Sequence, residues 1–126
     1  MSRNRLLSLA ALLVLPFLPG CYVSSSSHTS YSGDVTFYWS FEGASCRQES
    51  AIEYVLVHIP GESLDNDGYF YCTNGGIDGI TLHDFAPGSY SYTLTAIDYD
   101  GTESYYGSGG FTVDGDVSVT DDLTLN

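Results

Sequence analysis

The sequence predicts an all-β fold, an antiparallel β-sandwich of about seven strands. Apolar and polar residues alternate with a period of two in several stretches, which is the pattern of strands with one buried face. No stretch sustains the 3.6-residue period of an amphipathic helix. Gly, Asp, Asn and Pro separate the alternating stretches at short intervals, as is typical of domains built from many short strands.

Three stretches alternate clearly and are predicted as half-buried strands: Gly33–Phe41, residues 90–96 and Val117–Leu125. In the last of these, Asp121 interrupts the apolar face. Segment 52–59 is apolar on both faces and is predicted as a central strand, and segments 69–72, 79–83 and 104–113 are shorter candidates. Asp100-Gly101 lies between two strand patterns and indicates a hairpin, because both residues tolerate the positive φ of a type I′ turn.

Residues 85–90, with the sequence FAPGSY, supply a more specific signal for the fold. They resemble the apolar-x-Pro-Gly-x-Tyr corner of immunoglobulin-like, fibronectin type III-like and carboxypeptidase-regulatory-like sandwiches. The resemblance implies an immunoglobulin-like domain whose corner is formed by Pro87, Gly88 and Tyr90, with the Tyr90 hydroxyl bonded back to upstream backbone. It does not specify a function, because such sandwiches carry many unrelated ones.

The charge of the chain is distributed unevenly. The net charge is −13, and two of the three basic residues, Arg3 and Arg5, lie at the start, whereas all sixteen acids lie beyond residue 33. Beyond residue 20, Arg47 stands against those sixteen acids, which leaves a net charge of −15. Because nucleic-acid affinity depends on Lys and Arg neutralising phosphates, this composition excludes nucleic acid as a partner.

Residues 1–20 are predicted to be a signal peptide. Arg3 and Arg5 form a positive start, and residues 6–15 form an apolar run with Ser8 as its one polar residue. A membrane-spanning helix needs about 20 apolar residues. The run is about half that length and is followed by Pro16 and Pro19, so a permanent transmembrane helix is the weaker interpretation.

Leu18-Pro19-Gly20-Cys21 resembles the lipobox of bacterial lipoproteins, with Leu18, Gly20 and Cys21 matching the pattern and Pro19 departing from it. The resemblance implies that Cys21 becomes a lipidated mature N-terminus carrying a diacylglycerol and an acyl chain, palmitate for instance. Several chains hold a protein on a membrane without a spanning segment. Tyr22 stands where inner-membrane retention often depends on Asp, which favours a cell outer membrane location, on either its periplasmic or its surface face.

Residues 21–32 are predicted to form the lipidated cysteine and a flexible Ser-rich linker, and residues 33–126 the immunoglobulin-like domain. The chain is therefore similar to small bacterial envelope lipoproteins that carry one β-sandwich. That resemblance implies a non-catalytic binding or structural role, with the membrane and an envelope protein or polysaccharide as partners. The alternative is a calcium- or carbohydrate-dependent adhesion module on the cell surface.

Cys46 and Cys72 remain as an even pair and are predicted to form a disulfide, as expected of an exported domain. A zinc site that adds His58 and His83 is the weaker alternative, because neither pair of ligands has the usual spacing. A third alternative is that both cysteines are free thiols.

The sequence also predicts that the protein is not an enzyme. It has no Gly-x-Ser-x-Gly elbow, and no spacing ties either histidine to a nucleophile. No cofactor is expected except calcium, whose candidate ligands are Asp65, Asp67, Asp98 and Asp100. They have the local Asp-x-Asp-Gly pattern of calcium loops but lack the later Glu, so turns are the competing interpretation. Sugar-stacking aromatics are a further hypothesis, with Tyr38, Tyr99, Tyr105 and Tyr106 as candidates.

Overall fold

A computed structural model describes residues 29–125 of the chain. The predicted signal peptide, Cys21 and the linker as far as residue 28 lie outside the described residues, as does Asn126. Tyr31, near the end of the predicted linker, is hydrogen-bonded to the turn at residues 114–115 through its backbone.

The described residues confirm the all-β prediction. Every predicted stretch forms a strand, and one 3-10 turn, Asp65–Gly68, precedes the shortest of them. The strands are β1 Gly33–Phe41, β2 Ile52–His58, β3 Tyr69–Tyr71, β4 Gly79–Phe85, β5 Gly88–Asp98, β6 Glu103–Val113 and β7 Val117–Leu125.

The strands form one seven-stranded sheet in the order β3-β2-β5-β6-β7-β1-β4. Neighbours are antiparallel except β1 and β7, which run parallel with Val35 opposite Val117 and Phe41 opposite Leu123. The prediction of purely antiparallel pairing is therefore wrong, and the sheet is mixed. Period-two alternation is the same in parallel and antiparallel strands, so it carries no information about the direction of a distant neighbour.

The two halves of the sheet bury their apolar faces against each other, with aromatic rings at the contact. Phe111 on β6 lies 5.8 Å from Phe37 on β1 and 6.1 Å from Phe85 on β4, measured between ring centroids. It also stacks on Tyr90 of β5 at 5.3 Å, and Phe37 packs edge-on against Tyr92 at 5.1 Å. Because β1 and β4 are not hydrogen-bonded to β5 or β6, these contacts require the sheet to curl until its two halves face each other.

One polar contact lies on this buried face. The hydroxyl of Tyr92 donates a hydrogen bond to Asp121 Oδ2 at 2.8 Å, which accounts for the acid that interrupts the apolar face of β7. Space for the pair comes from β6, where a Cβ on Gly107 would lie 2.8 Å from Asp121 Oδ2 and one on Gly109 would lie 2.8 Å from the Tyr92 hydroxyl. Glycines within a strand are typical of such close approaches.

Cys46 and Cys72 are joined, as predicted, with their Cα atoms 5.8 Å apart. Hydrogen bonds surround the disulfide. The indole Nε1 of Trp39 donates to the carbonyl oxygen of Cys72 at 2.9 Å, and the carboxylate of Asp78 accepts from the Cys46 N–H at 3.0 Å and from the Thr73 hydroxyl at 2.8 Å. The loop after β1 is thereby tied to the end of β3.

At the predicted corner, the Tyr90 hydroxyl donates to the Ala86 carbonyl oxygen at 2.6 Å. The Tyr90 ring also packs edge-on against Phe85 at 5.3 Å. Gly88, after Pro87, has φ 149, in the region that favours glycine. The corner thus links the end of β4 to the start of β5 by one polar and one aromatic contact.

Replacing both cysteines (Cys46→Ala with Cys72→Ala) should lower the free energy of unfolding by about 3.5 kcal/mol, because the closed loop restricts the unfolded chain. Urea unfolding of the variant and the oxidised wild type measures the difference. Mass mapping without reductant should find the two cysteines in one joined peptide pair. An unchanged urea midpoint, or two alkylatable thiols in the folded wild type, would contradict this expectation.

The Tyr90→Phe substitution should cost about 1 kcal/mol of stability, since it removes the hydroxyl and leaves the ring packing in place. The measurement is the urea midpoint at constant slope. Tyr99→Phe is the matched control, because Tyr99 is 70% exposed and its loss should leave the midpoint unchanged. Equal midpoints for Tyr90→Phe and wild type would count against a stabilising corner.

The bond from Tyr92 to Asp121 should be sensitive to alkaline pH. Burial, followed by the hydrogen bond to the Asp121 carboxylate, raises the pKa of Tyr92 to about 12, against about 10 in an unfolded chain. The stabilisation is therefore complete below pH about 10 and is lost as the pH rises through about 12. Urea unfolding at rising pH should show the advantage of wild type over Tyr92→Phe shrinking only in that window, and a constant advantage across it would contradict the assignment.

Candidate functional site

An open cleft of about 460 Å³ lies beside the edge strand β3. Aromatic and polar side chains line it together, among them Tyr54, Asn66, Asp67, Tyr69, Tyr71 and Asn74. No cysteine or histidine is among the residues that line this cleft. Its chemistry is therefore that of aromatic stacking and hydrogen bonding.

The tyrosines of the cleft come from two paired strands. Tyr69 and Tyr71 flank the buried Phe70 on β3, so alternation places both on the outer face of the sheet. Tyr54 on β2 lies directly opposite Tyr71 in the register. Its ring lies nearly parallel to that of Tyr71 at 5.3 Å and nearly perpendicular to that of Tyr69 at 6.0 Å. The three rings therefore support one another before any ligand arrives.

Polar groups surround the rings. Asn66 and Asp67 lie in the 3-10 turn with φ values of 52 and 54, and their side chains have no hydrogen-bond partner among the described residues. The Asn74 amide nitrogen, by contrast, donates to the carbonyl oxygen of Tyr71 at 2.6 Å and to that of Gly79 at 2.8 Å. Asn74 therefore holds the end of β3, while Asn66 and Asp67 are available to a ligand.

A second cleft of about 330 Å³ is also lined by Tyr71. Arg47, Glu53 and Tyr99 contribute to this cleft, which lies next to the disulfide. Tyr71 lines both clefts, and this residue is 62% exposed. We call the two clefts together the tyrosine groove.

The groove is acidic with one basic residue. Arg47 is the only Arg or Lys of the sequence beyond residue 20, and it shares the groove with the carboxylates of Glu53 and Asp67. The negative charge of Glu53, together with desolvation, raises the pKa of Tyr54 above its usual value. The Tyr54 hydroxyl therefore stays protonated, and a hydrogen-bond donor, throughout the physiological pH range.

The calcium candidates lie in two different segments. Asp65 and Asp67 belong to the 3-10 turn, whereas Asp98 ends β5 and Asp100 lies in the turn that follows it. Asp100 accepts a hydrogen bond from the Thr102 N–H at 2.9 Å, which lowers the pKa of its carboxyl group. In residues 29–125 no three His, Cys, Asp or Glu side chains form a group that could hold a metal ion. The structure does not bring the four candidates into one site.

The zinc alternative is wrong, because Cys46 and Cys72 are bonded to each other. His83 Nδ1 lies 3.0 Å from Asp34 Oδ2 on the neighbouring strand, and this hydrogen bond lowers the pKa of Asp34. Both side chains are exposed to solvent, and no hydroxyl is bonded to His83 within the part of the chain that the structure describes. The pair has the contacts of a surface ion pair rather than those of a catalytic dyad.

Of the tyrosines suggested by the sequence, Tyr105 is buried in the core and only Tyr99 lines the groove. Tyr54, Tyr69 and Tyr71 were not among the sugar-stacking tyrosines predicted from the sequence. A signal was present for two of them, because the Tyr-Phe-Tyr alternation at residues 69–71 directly follows a turn rich in Asp and Asn. Tyr54 carried no such signal, since it joins the others only through strand pairing.

No protein-family model matches this chain, and no curated protein matches it either. Within residues 29–125, no helix has the length and apolar character needed to cross a bilayer. The geometry of the tyrosine groove and the segments that precede the domain are therefore the basis for a functional assignment.

Proposed function

We propose that this protein is a lipid-anchored cell-envelope lipoprotein whose β-domain is a non-catalytic binding or structural module. The observation that carries the proposal is the segment Leu18-Pro19-Gly20-Cys21, placed between an apolar leader and a Ser-rich stretch. Cys21 would carry the lipid and hold the domain at the outer membrane, on its periplasmic or surface face. A chain anchored in this way needs no membrane-spanning helix.

The disulfide supports export. Disulfides form and persist in oxidising compartments such as the periplasm and the cell surface, and they are rare in the cytosol. The bond between Cys46 and Cys72 is therefore consistent with a domain that leaves the cytoplasm. The contact of Tyr90 with the Ala86 carbonyl oxygen supports an immunoglobulin-like assignment for the curled sheet.

The arrangement of the groove supports a binding role over catalysis. It offers aromatic rings, amide groups and carboxylates. Nucleophilic catalysis requires a nucleophile within hydrogen-bond reach of a base. The histidine bonded to a carboxylate, His83, is paired with Asp34 and does not line the groove.

The second candidate function is an adhesion module that depends on carbohydrate or calcium. The tyrosine groove favours the carbohydrate form, because exposed aromatic rings beside unbonded amide and carboxylate groups match the faces and hydroxyls of sugars. The calcium form receives no comparable support, since the four candidate aspartates are divided between two segments.

The Cys21→Ser substitution should abolish labelling by radioactive palmitate and leave the precursor uncleaved, because the acceptor thiol is gone. The double variant Cys46→Ala with Cys72→Ala is the matched control and should be labelled like the wild type. Metabolic labelling followed by gel separation makes the measurement. Normal labelling of Cys21→Ser would refute the anchor.

A further inference from the structure

We propose that the tyrosine groove binds an uncharged polysaccharide chain that lies along β3 and across Tyr71. The inference rests on the proposed function, because it names a ligand class for the binding module. Four features of the groove support it: the geometry of the rings, the unbonded polar side chains, the extent of the groove and its charge.

The rings suit the faces of sugars. A pyranose has apolar C–H faces and a rim of hydroxyls, and a tyrosine likewise has an apolar ring and a polar tip. Tyr71 is 62% exposed yet held by its contact with Tyr54 at 5.3 Å. Tyr69 is set nearly perpendicular to Tyr54, so a ligand meets two differently oriented rings. Because the rings already support one another, binding loses little side-chain entropy.

The polar groups suit the hydroxyls of sugars. Asp67 offers acceptor oxygens, and the Asn66 amide offers both donors and an acceptor. Neither side chain has a hydrogen-bond partner within the described residues, so neither must break a protein contact in order to bind. The tyrosine hydroxyls of the groove add further hydrogen-bonding groups.

The extent of the groove favours a chain over a compact molecule. Clefts of about 460 and 330 Å³ share Tyr71 in their linings, with Asp67 lining one and Tyr99 lining the other. A ligand of repeated units can occupy both clefts at once with Tyr71 between two units. A single small molecule would fill one cleft and leave the other in water.

The charge of the groove excludes anionic chains. Asp67 and Glu53 outnumber Arg47 within it, and the sequence beyond residue 20 has a net charge of −15. Acidic polysaccharides and phosphorylated ligands would be repelled at close range. Anionic chains are therefore excluded, and titration with tetramethylammonium distinguishes an uncharged chain from a cationic ligand.

A peptide strand is a poor fit at this edge. Strand addition needs a row of free backbone groups, and β3 is three residues long. The carbonyl oxygen of Tyr71 already accepts a hydrogen bond from Asn74 at 2.6 Å. One backbone group at this edge is therefore already hydrogen-bonded, whereas the side chains of Tyr69 and Tyr71 remain exposed.

The test is isothermal titration of the full chain, purified in detergent micelles, with four uncharged probes: maltohexaose, cellohexaose, mannohexaose and hexa-N-acetylchitohexaose. At least one should bind the wild type, and Tyr71→Ala should weaken that binding by about tenfold or more, because it removes the ring shared by both clefts. Tyr71→Trp should retain binding, since it keeps an aromatic face.

A matched pair of variants separates the groove from the rest of the surface. Tyr69 and Tyr106 are both 42% exposed, but only Tyr69 lines the groove. Tyr69→Ala should weaken binding by about fivefold or more, and Tyr106→Ala should change it by less than about twofold. Thermal unfolding of each variant verifies that the comparison is between folded proteins.

Three outcomes would overturn the inference: no heat with any uncharged probe, tighter binding of polygalacturonate or tetramethylammonium than of the uncharged probes, or equal losses in Tyr69→Ala and Tyr106→Ala. Palmitate labelling at Cys21 is measured independently. A labelled protein that binds no glycan retains the proposed function and loses this inference, and an unlabelled protein that binds glycan does the reverse.

Discussion

The structure depends on the burial of one face of a single sheet. No helix covers the apolar face of these seven strands in residues 29–125, so that face is buried only when the sheet curls onto itself. Phe111 is at the centre of this contact, since rings from β1, β4 and β5 all reach it. The pairing of β1 with β7, which is parallel, joins the two halves that the rings bring face to face.

The same closure leaves the outer face at β3 open, and that face carries the groove. Cys72 directly follows Tyr71, and its carbonyl oxygen accepts the indole N–H of the buried Trp39. The disulfide, the indole and the Asp78 carboxylate therefore hold the end of β3 to the core. A rigid support of this kind is what a binding surface made of exposed rings requires.

Much of the fold was predictable from local patterns. The strands follow from alternation, and the disulfide follows from the two cysteines that remain once Cys21 is predicted to be lipidated. In the sequence, Asp121 was visible only as an interruption of the apolar face of β7. Its partner Tyr92 lies 29 residues away, and the glycines that make room for the pair lie on a third strand. The groove was mostly missed because Tyr54 becomes a neighbour of Tyr71 only through strand pairing.

By itself the sequence determined which residues alternate, where the turns fall and how acidic the domain is. These properties are local or compositional, so a reader of the chain can find them. Only the tertiary structure decided that β1 runs parallel to β7, that Asp121 accepts a hydrogen bond from the Tyr92 hydroxyl and that three tyrosines meet at the β3 edge of the sheet. Each of these depends on which distant segments become neighbours, and burial of the whole apolar face selects that arrangement.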